Sequence, residues 1–185
     1  MSFHALTGCD STSSFGGYGK KKCWKVFQQY PHLVSGIGRD GDIDQVEQYV
    51  CHLYGETKLV NVDKVRLQLF GKGKKGLELL PPTKDALELR ARRANHQAKI
   101  WMQADKEVMD ISSPLETGAW EKTGSTLSPV WTRIPAIPDA CLELVTCGCK
   151  TKCKTARCSC FKSGLKCTVA CGCDAIDCCN PILED

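Results

Sequence analysis

Long apolar runs are missing from this chain of 185 residues. None approaches the ~20 residues that a membrane-spanning helix needs, so no membrane partner is expected. Residues 1–12 lack a basic start followed by a continuous apolar stretch. No secretory signal is therefore expected, and a nuclear or otherwise intracellular, reducing location is. Aromatic residues make up only 7% of the sequence, enough for a modest core in one or two small domains. Neither sign of charge is in large excess: 25 Lys and Arg stand against 21 Asp and Glu. The whole-chain balance therefore selects no partner. The glycine-rich GKGKKG of residues 71–76 lacks the Gly-Lys-Ser/Thr of a P-loop and reads as a basic loop. No pattern points to a small-molecule substrate. Histidine is scarce, and His4, His32, His52 and His96 show no metal-site spacing. They read as surface or packing residues.

Cysteine, by contrast, is abundant and concentrated. Ten of the 14 cysteines fall between Cys147 and Cys179, spaced C-x-C-x3-C-x4-C-x-C-x6-C-x3-C-x-C-x4-C-C. Three C-x-C pairs occur: Cys147/Cys149, Cys158/Cys160 and Cys171/Cys173. Two thiols so close along the chain do not easily bridge to each other, but they suit one ion or neighbouring ions. In a reducing compartment clustered cysteines hold metal. Zinc is the expected ion, with a disulfide scaffold or an iron–sulfur site as alternatives. The stretch contains no histidine, which excludes a mixed Cys/His finger. Zinc takes four thiolates, so three ions need twelve ligand positions. Nine cysteines supply twelve if six bind one ion each and three bridge two. The nine are Cys147, Cys149, Cys153, Cys158, Cys160, Cys167, Cys171, Cys173 and Cys178, with Cys179 as the alternate. Two separate four-cysteine sites, using eight, are the other arrangement. Cys141 reads as a buried thiol outside the cluster.

This order and spacing, with Cys158-Ser159-Cys160-Phe161 and the closing Cys179-Asn180-Pro181, resemble the CXC domain of tesmin/TSO1-like proteins. The resemblance covers about a fifth of the chain and implies a three-zinc, nine-cysteine cluster that binds DNA. Three features depart from the tesmin type. The first internal gap is three residues rather than four, Arg157 stands where a tyrosine is usual, and only one repeat is present. The local charge agrees with a DNA partner. Lys150, Lys152, Lys154, Arg157, Lys162 and Lys166 lie between Cys147 and Cys173 with no acid among them. Part of that charge balances the thiolates, and the rest is available to phosphate.

The remainder reads as mostly helical. Phe3, Ala5, Leu6 and Cys9 look like the end of a buried element, as if Met1 began inside a domain. Residues 11–19 are turn-rich. Lys20 to Tyr30 reads as an amphipathic helix with Cys23, Trp24 and Phe27 inward, stopped by Pro31. Further helices are expected over 42–54, 61–70 and 83–105. Thr83 is the expected N-cap of the last, and Leu87, Ala91, Ala94, Ala98 and Trp101 its core stripe. Asp42, Asp44 and Glu47 read as a solvated face, and Arg90, Arg92 and Arg93 as mostly solvated. Residues 106–140 read as a Pro/Gly/Ser/Thr-rich linker holding a short Trp120/Trp131 strand pair. Residues 141–181 form the cysteine module.

Residues 6–22 carry a second pattern. Leu6-Thr7-Gly8-Cys9-Asp10 is followed, seven and nine residues past the aspartate, by Gly17 and Gly19, and Lys20, Lys21 and Lys22 open the helix. This resembles the helix–three-turn–helix of flap-endonuclease/XPG-like (PIN-like) nucleases, over about 35 residues. Glycines let backbone approach phosphate, and helix N-terminal amides with lysines hold it. The resemblance implies DNA contacts at Gly17, Gly19 and Lys20–Lys22, and a Mg²⁺-ligand role for Asp10 as a remnant. As a turn residue, Asp10 needs no metal. A two-metal site needs several carboxylates, which that family supplies largely from a preceding sheet, so no catalysis is expected. The combination of the two patterns is similar to mobile-element proteins. The expectation is a mostly α fragment with a small irregular zinc module, binding Zn²⁺ and DNA. A divalent-metal nuclease using Mg²⁺, truncated at its N-terminus, and a protein-interaction module with a structural cluster are the alternatives.

Overall fold

Short polar side chains set where the helices begin. The computed structural model describes residues 1–72, 76–132, 145–150, 153–168, 170–173, 178 and 180. Helix α1 (Ser2–Thr7) leads into two tight turns paired Cys9 to Thr12 and Phe15 to Tyr18. Helix α2 (Lys20–Gln29) ends at Tyr30, and after Pro31 the short α3 (His32–Ser35) restarts the path. Helix α4 (Ile43–Leu53) is capped by Asp42, whose carboxylate accepts from the Asp44 amide at 2.9 Å. Helix α5 (Val62–Gly71) is capped by Asn61, accepting from the Lys64 amide at 3.0 Å. Helix α6 (Lys84–Met102) is capped by Thr83, accepting from the Ala86 amide at 3.3 Å. Each cap satisfies an amide that has no partner inside the helix. A 3-10 turn (Pro114–Thr117) and an antiparallel hairpin, β1 (Trp120–Thr123) with β2 (Thr126–Pro129), follow. Helix α7 (Ser159–Lys162) lies in the cysteine segment. No described helix is long and apolar enough to cross a membrane.

The fold is mostly helical, with a C-terminal cluster of cysteines, as the sequence implies. One apolar core joins α1 to α6. Leu6, Val34, Tyr49, Val50, Val62, Val65 and Leu87 are almost wholly buried in it. Tyr49 ties α2 to α4, its hydroxyl donating to the Cys23 carbonyl at 2.8 Å. A buried tyrosine needs such a partner. The loop between α3 and α4 is strapped to α6. Asp40, at φ 54, accepts from Asn95 at 2.9 Å and from Lys99 at 2.7 Å, and Asn95 accepts from the Gly38 amide at 2.7 Å.

Four side chains depart from the sequence reading. Glu47 is not on a solvated face: it is 3% exposed, accepts from the Val62 amide at 2.8 Å and pairs with Lys84 at 3.0 Å. It holds the start of α5, which its position on α4 brings within reach. Arg90 is buried too. Its guanidinium donates to the Ser13 carbonyl and hydroxyl and covers the Phe15 ring at 3.8 Å, serving a turn whose carbonyl has no helical partner. Trp24 is 45% exposed rather than inward, because the inward line of α2 runs through Cys23. Trp131 lies beyond the hairpin, which pairs Trp120 with Pro129. The hairpin is held to α6 by Arg93, which donates to the carbonyls of Ala119 and Val130 at 3.3 and 3.1 Å.

Candidate metal centre

The cysteine segment is nearly without regular structure, and its shape comes from local bonds. Cys158 precedes α7 and Cys160 lies within it. Gly164, at φ 68, turns the chain back so that the Leu165 amide donates to the Cys160 carbonyl at 2.9 Å. The Gly172 amide donates to the Cys147 carbonyl at 2.6 Å, which joins the first C-x-C pair to the third. Cys147, Cys153, Cys158, Cys160, Cys171 and Cys173 are buried, and Cys149, Cys167 and Cys178 half-buried. The nine expected ligands therefore converge on one cluster.

Among the described residues, three groups of four sulfurs each lie within 4.8 Å of one another. The first is Cys147, Cys160, Cys167 and Cys171. The second is Cys147, Cys153, Cys158 and Cys167, and the third is Cys153, Cys167, Cys173 and Cys178. The closest sulfur pairs include Cys160 with Cys171 at 3.5 Å and Cys147 with Cys153 at 3.9 Å. A disulfide needs ~2.05 Å, and the described cysteines are all free thiols. A tetrahedral ion with metal–sulfur bonds of ~2.3 Å sets its thiolates roughly 3.8 Å apart. The clustered thiols lie close enough together to hold zinc or another thiophilic ion.

The electrostatics fit a cation as well. Burial pushes the thiols of Cys149, Cys153, Cys160 and Cys173 above the ordinary thiol range, and Cys167 up to about 12. At Cys158 burial acts in the same direction, but the Phe161 amide and the neighbouring thiols outweigh it and hold the group at about 7. Cys171 and Cys178 are lowered by the same opposition, with backbone amides at Thr168 and Asn180 among the donors. A buried thiolate is costly without a counter-charge, and a bound cation supplies one.

Two supporting residues escaped the sequence reading. The Asn180 side-chain Nδ2 donates to Cys167 Sγ at 3.4 Å and to the Leu165 carbonyl at 2.9 Å. Only its place after the double cysteine marked it. The Thr168 backbone amide donates to Cys171 Sγ at 3.4 Å, which no side-chain pattern signals. Such outer bonds orient ligands and offset thiolate charge.

Lys150, Lys154, Arg157, Lys162 and Lys166 are exposed around the cluster. Lys152, Cys141 and the alternate ligand Cys179 lie outside the described residues. In the N-terminal pattern, Gly17 has φ 72 and its turn packs beside Leu79. Gly19 is the N-cap residue of α2, open on its Cα side. Lys20 is exposed but folds back onto the end of α1, donating to the His4 carbonyl at 3.1 Å and to Thr7 Oγ1 at 2.8 Å. Lys22 lies over the Tyr18 ring at 4.0 Å, and Lys21 is exposed. Asp10 is exposed, and none of the described groups of potential ligands includes it. No protein-family model, curated protein or solved structure matches the chain.

Proposed function

We propose that residues 145–180 form a three-zinc, nine-thiolate module that binds DNA. The overlap of the three cysteine quartets carries this reading, because separate four-cysteine sites share no ligand. Cys147, Cys153 and Cys167 recur among the quartets. Cys149 lies against Cys147, Cys153 and Cys158. One ion is then held by Cys147, Cys149, Cys153 and Cys158, a second by Cys147, Cys160, Cys167 and Cys171, and a third by Cys153, Cys167, Cys173 and Cys178. Six thiolates serve one ion each and three serve two, which fills three tetrahedra. The likeness to the tesmin/TSO1-like CXC domain supports the same count.

Nine thiolates and three Zn²⁺ sum to about −3, so the surrounding cations outnumber the cluster charge. Zinc holds their backbone rigid, and side chains on a rigid base lose less entropy when they meet phosphate. The module binds without catalysis, and a DNA partner places the protein in the nucleus or another DNA-bearing compartment. Native mass spectrometry of the zinc-loaded chain should give three ions, whereas two would favour separate sites. Fluorescence anisotropy on A/T-rich and G/C-rich duplexes should show log K falling against log salt with a slope near −3, at ~0.9 per phosphate contact. Lys150→Ala with Lys154→Ala should flatten that slope on both sequences. Arg157→Ala should also reduce preference between them, since arginine suits a narrow minor groove. A zinc-loaded chain that binds neither duplex at low salt would leave the cluster a structural part of a protein-interaction module.

A further inference from the structure

Helix α2 presents an indole to solvent among lysines. Trp24 is 45% exposed, yet it is held from behind by two rings. Phe3 meets it at 5.1 Å between centroids and 76°, Phe27 at 5.1 Å and 33°, and these two lie 5.2 Å from each other. Three rings in mutual contact fix the indole while leaving nearly half its surface open. Lys21 lies one turn before Trp24 and Lys25 beside it, both exposed. Between Asp10 and Asp40 the sequence has no acid, against Lys20, Lys21, Lys22, Lys25 and Arg39. The face therefore suits a ligand with a flat π surface and regularly spaced negative charge.

We propose that this face of α2 binds single-stranded DNA, with one unpaired base stacked on Trp24 and phosphates on Lys21 and Lys25. Base–aromatic stacking needs a base whose face is free, which a paired duplex does not offer. The lysines stand four residues apart, about 6 Å along the helix axis. Two lysines so spaced can reach neighbouring phosphates of one strand while its base covers the indole. An anionic bilayer would ask for a row of exposed apolar residues, whereas α2 offers one indole with Phe3 and Phe27 half-buried behind it. An acidic peptide matches the charge but gives the indole nothing flat to cover. The choice of DNA over RNA rests on the reading of the zinc module; the stacking itself does not.

The test uses the zinc-loaded full chain and fluorescein-labelled (dT)12, with intrinsic tryptophan quenching as a second readout. Trp24→Ala should weaken (dT)12 binding by about tenfold or more and remove most of the quenching. Trp24→Phe should retain part of the affinity. Lys21→Ala with Lys25→Ala should reduce the salt slope by about 1.4, at ~0.7 per contact on single strands. Affinity for a blunt duplex should be unchanged in Trp24→Ala and Trp24→Phe, and a far-ultraviolet spectrum like that of the parent chain shows that the variants fold. Equal (dT)12 affinity in Trp24→Ala and the parent would overturn the proposal, as would an equal loss on duplex. Tighter binding of (rU)12 than of (dT)12 would overturn the choice of DNA. Trp24-dependent binding to phosphatidylserine vesicles without any to (dT)12 would replace the ligand altogether. Loss of duplex binding with (dT)12 binding intact would count against the zinc module alone.

Discussion

Removing Cys167 should cost the centre more metal than removing Cys178. Cys167 belongs to all three sulfur quartets and Cys178 to one. In the three-ion arrangement Cys167 bridges two ions, so Cys167→Ala leaves two of them with three thiolates each. Cys178→Ala leaves one ion short. A structural zinc in a complete site is held by roughly 10–16 kcal/mol in peptides at neutral pH, far beyond the reach of a mild competing chelator. An ion that loses one thiolate of four falls towards that reach. Under such a chelator the parent chain should keep three ions, Cys178→Ala two and Cys167→Ala one, counted by native mass spectrometry. Alanine is the right replacement, because it offers no ligand atom. The side-chain Nδ2 of Asn180, which donates to Cys167 Sγ, should also show faster proton exchange in Cys167→Ala. Equal losses from the two variants would refute bridging by Cys167. A parent chain holding two ions, each lost independently, would refute the shared cluster.

Glu47→Ala should destabilise the helical region by about 2 kcal/mol in urea unfolding, the range for a hydrogen bond to a charged group, because the Val62 amide loses its acceptor. Glu47→Gln should recover part of this, and a change below about 0.5 kcal/mol would count against the role. The strap at Asp40 should loosen in acid. Hydrogen bonds from Lys99 and Asn95 hold its carboxyl below the ordinary aspartate value of 3.8. Its contribution is therefore full above pH 3.8 and is lost as pH falls through the lower folded value. Exchange at the Gly38 amide should rise in that window, and Asp40→Asn should abolish the pH dependence. With Mg²⁺ or Mn²⁺ the chain should leave flap, hairpin and single-stranded DNA intact, and cleavage that Asp10→Ala removes would restore the nuclease reading.

The helices were legible because their signals are local. Thr83 caps α6 as the sequence reading expects, α4 and α5 start where their ranges were placed, and the stripe from Leu87 to Ala98 is buried as its spacing requires. The four residues of α3 are too few to show a period. Arg90 and Glu47 were misread for a different reason. Whether a long charged side chain is buried depends on what it meets, and Ser13 lies 77 residues from Arg90. Lys20 shows the same limit: a lysine opening a helix suggests phosphate, but here the end of α1 lies within its reach. At the candidate metal centre the convergence of the cysteines could be read from their spacing, because so many thiols in one short segment meet when that segment folds on itself. Which sulfurs share an ion could not be, since the quartets join residues up to 25 positions apart, Cys153 to Cys178.

The two candidate DNA surfaces are joined by a short series of contacts. Tyr49 bonds α4 to the Cys23 carbonyl of α2, and Glu47 bonds α4 to the first amide of α5. The far end of α5 then meets the cysteine segment, where the bare Cα of Gly71 lies against the backbone of Ala170. Ala170 is wholly buried and sits just before Cys171. A side chain on Gly71 would collide with backbone, not with a flexible tip, so the fit requires glycine. Two sites on one frame convert a second contact into an intramolecular one, with an effective concentration set by the frame's rigidity. A duplex with a (dT)12 tail should therefore bind more tightly than either part alone. Gly71→Ala should remove that excess while leaving the separate affinities for duplex and (dT)12 nearly unchanged. If the tailed duplex bound no better than its stronger half, the two surfaces would not be presented to the same molecule of DNA. If Gly71→Ala left the excess intact, the contact with Ala170 would not be what holds them in register.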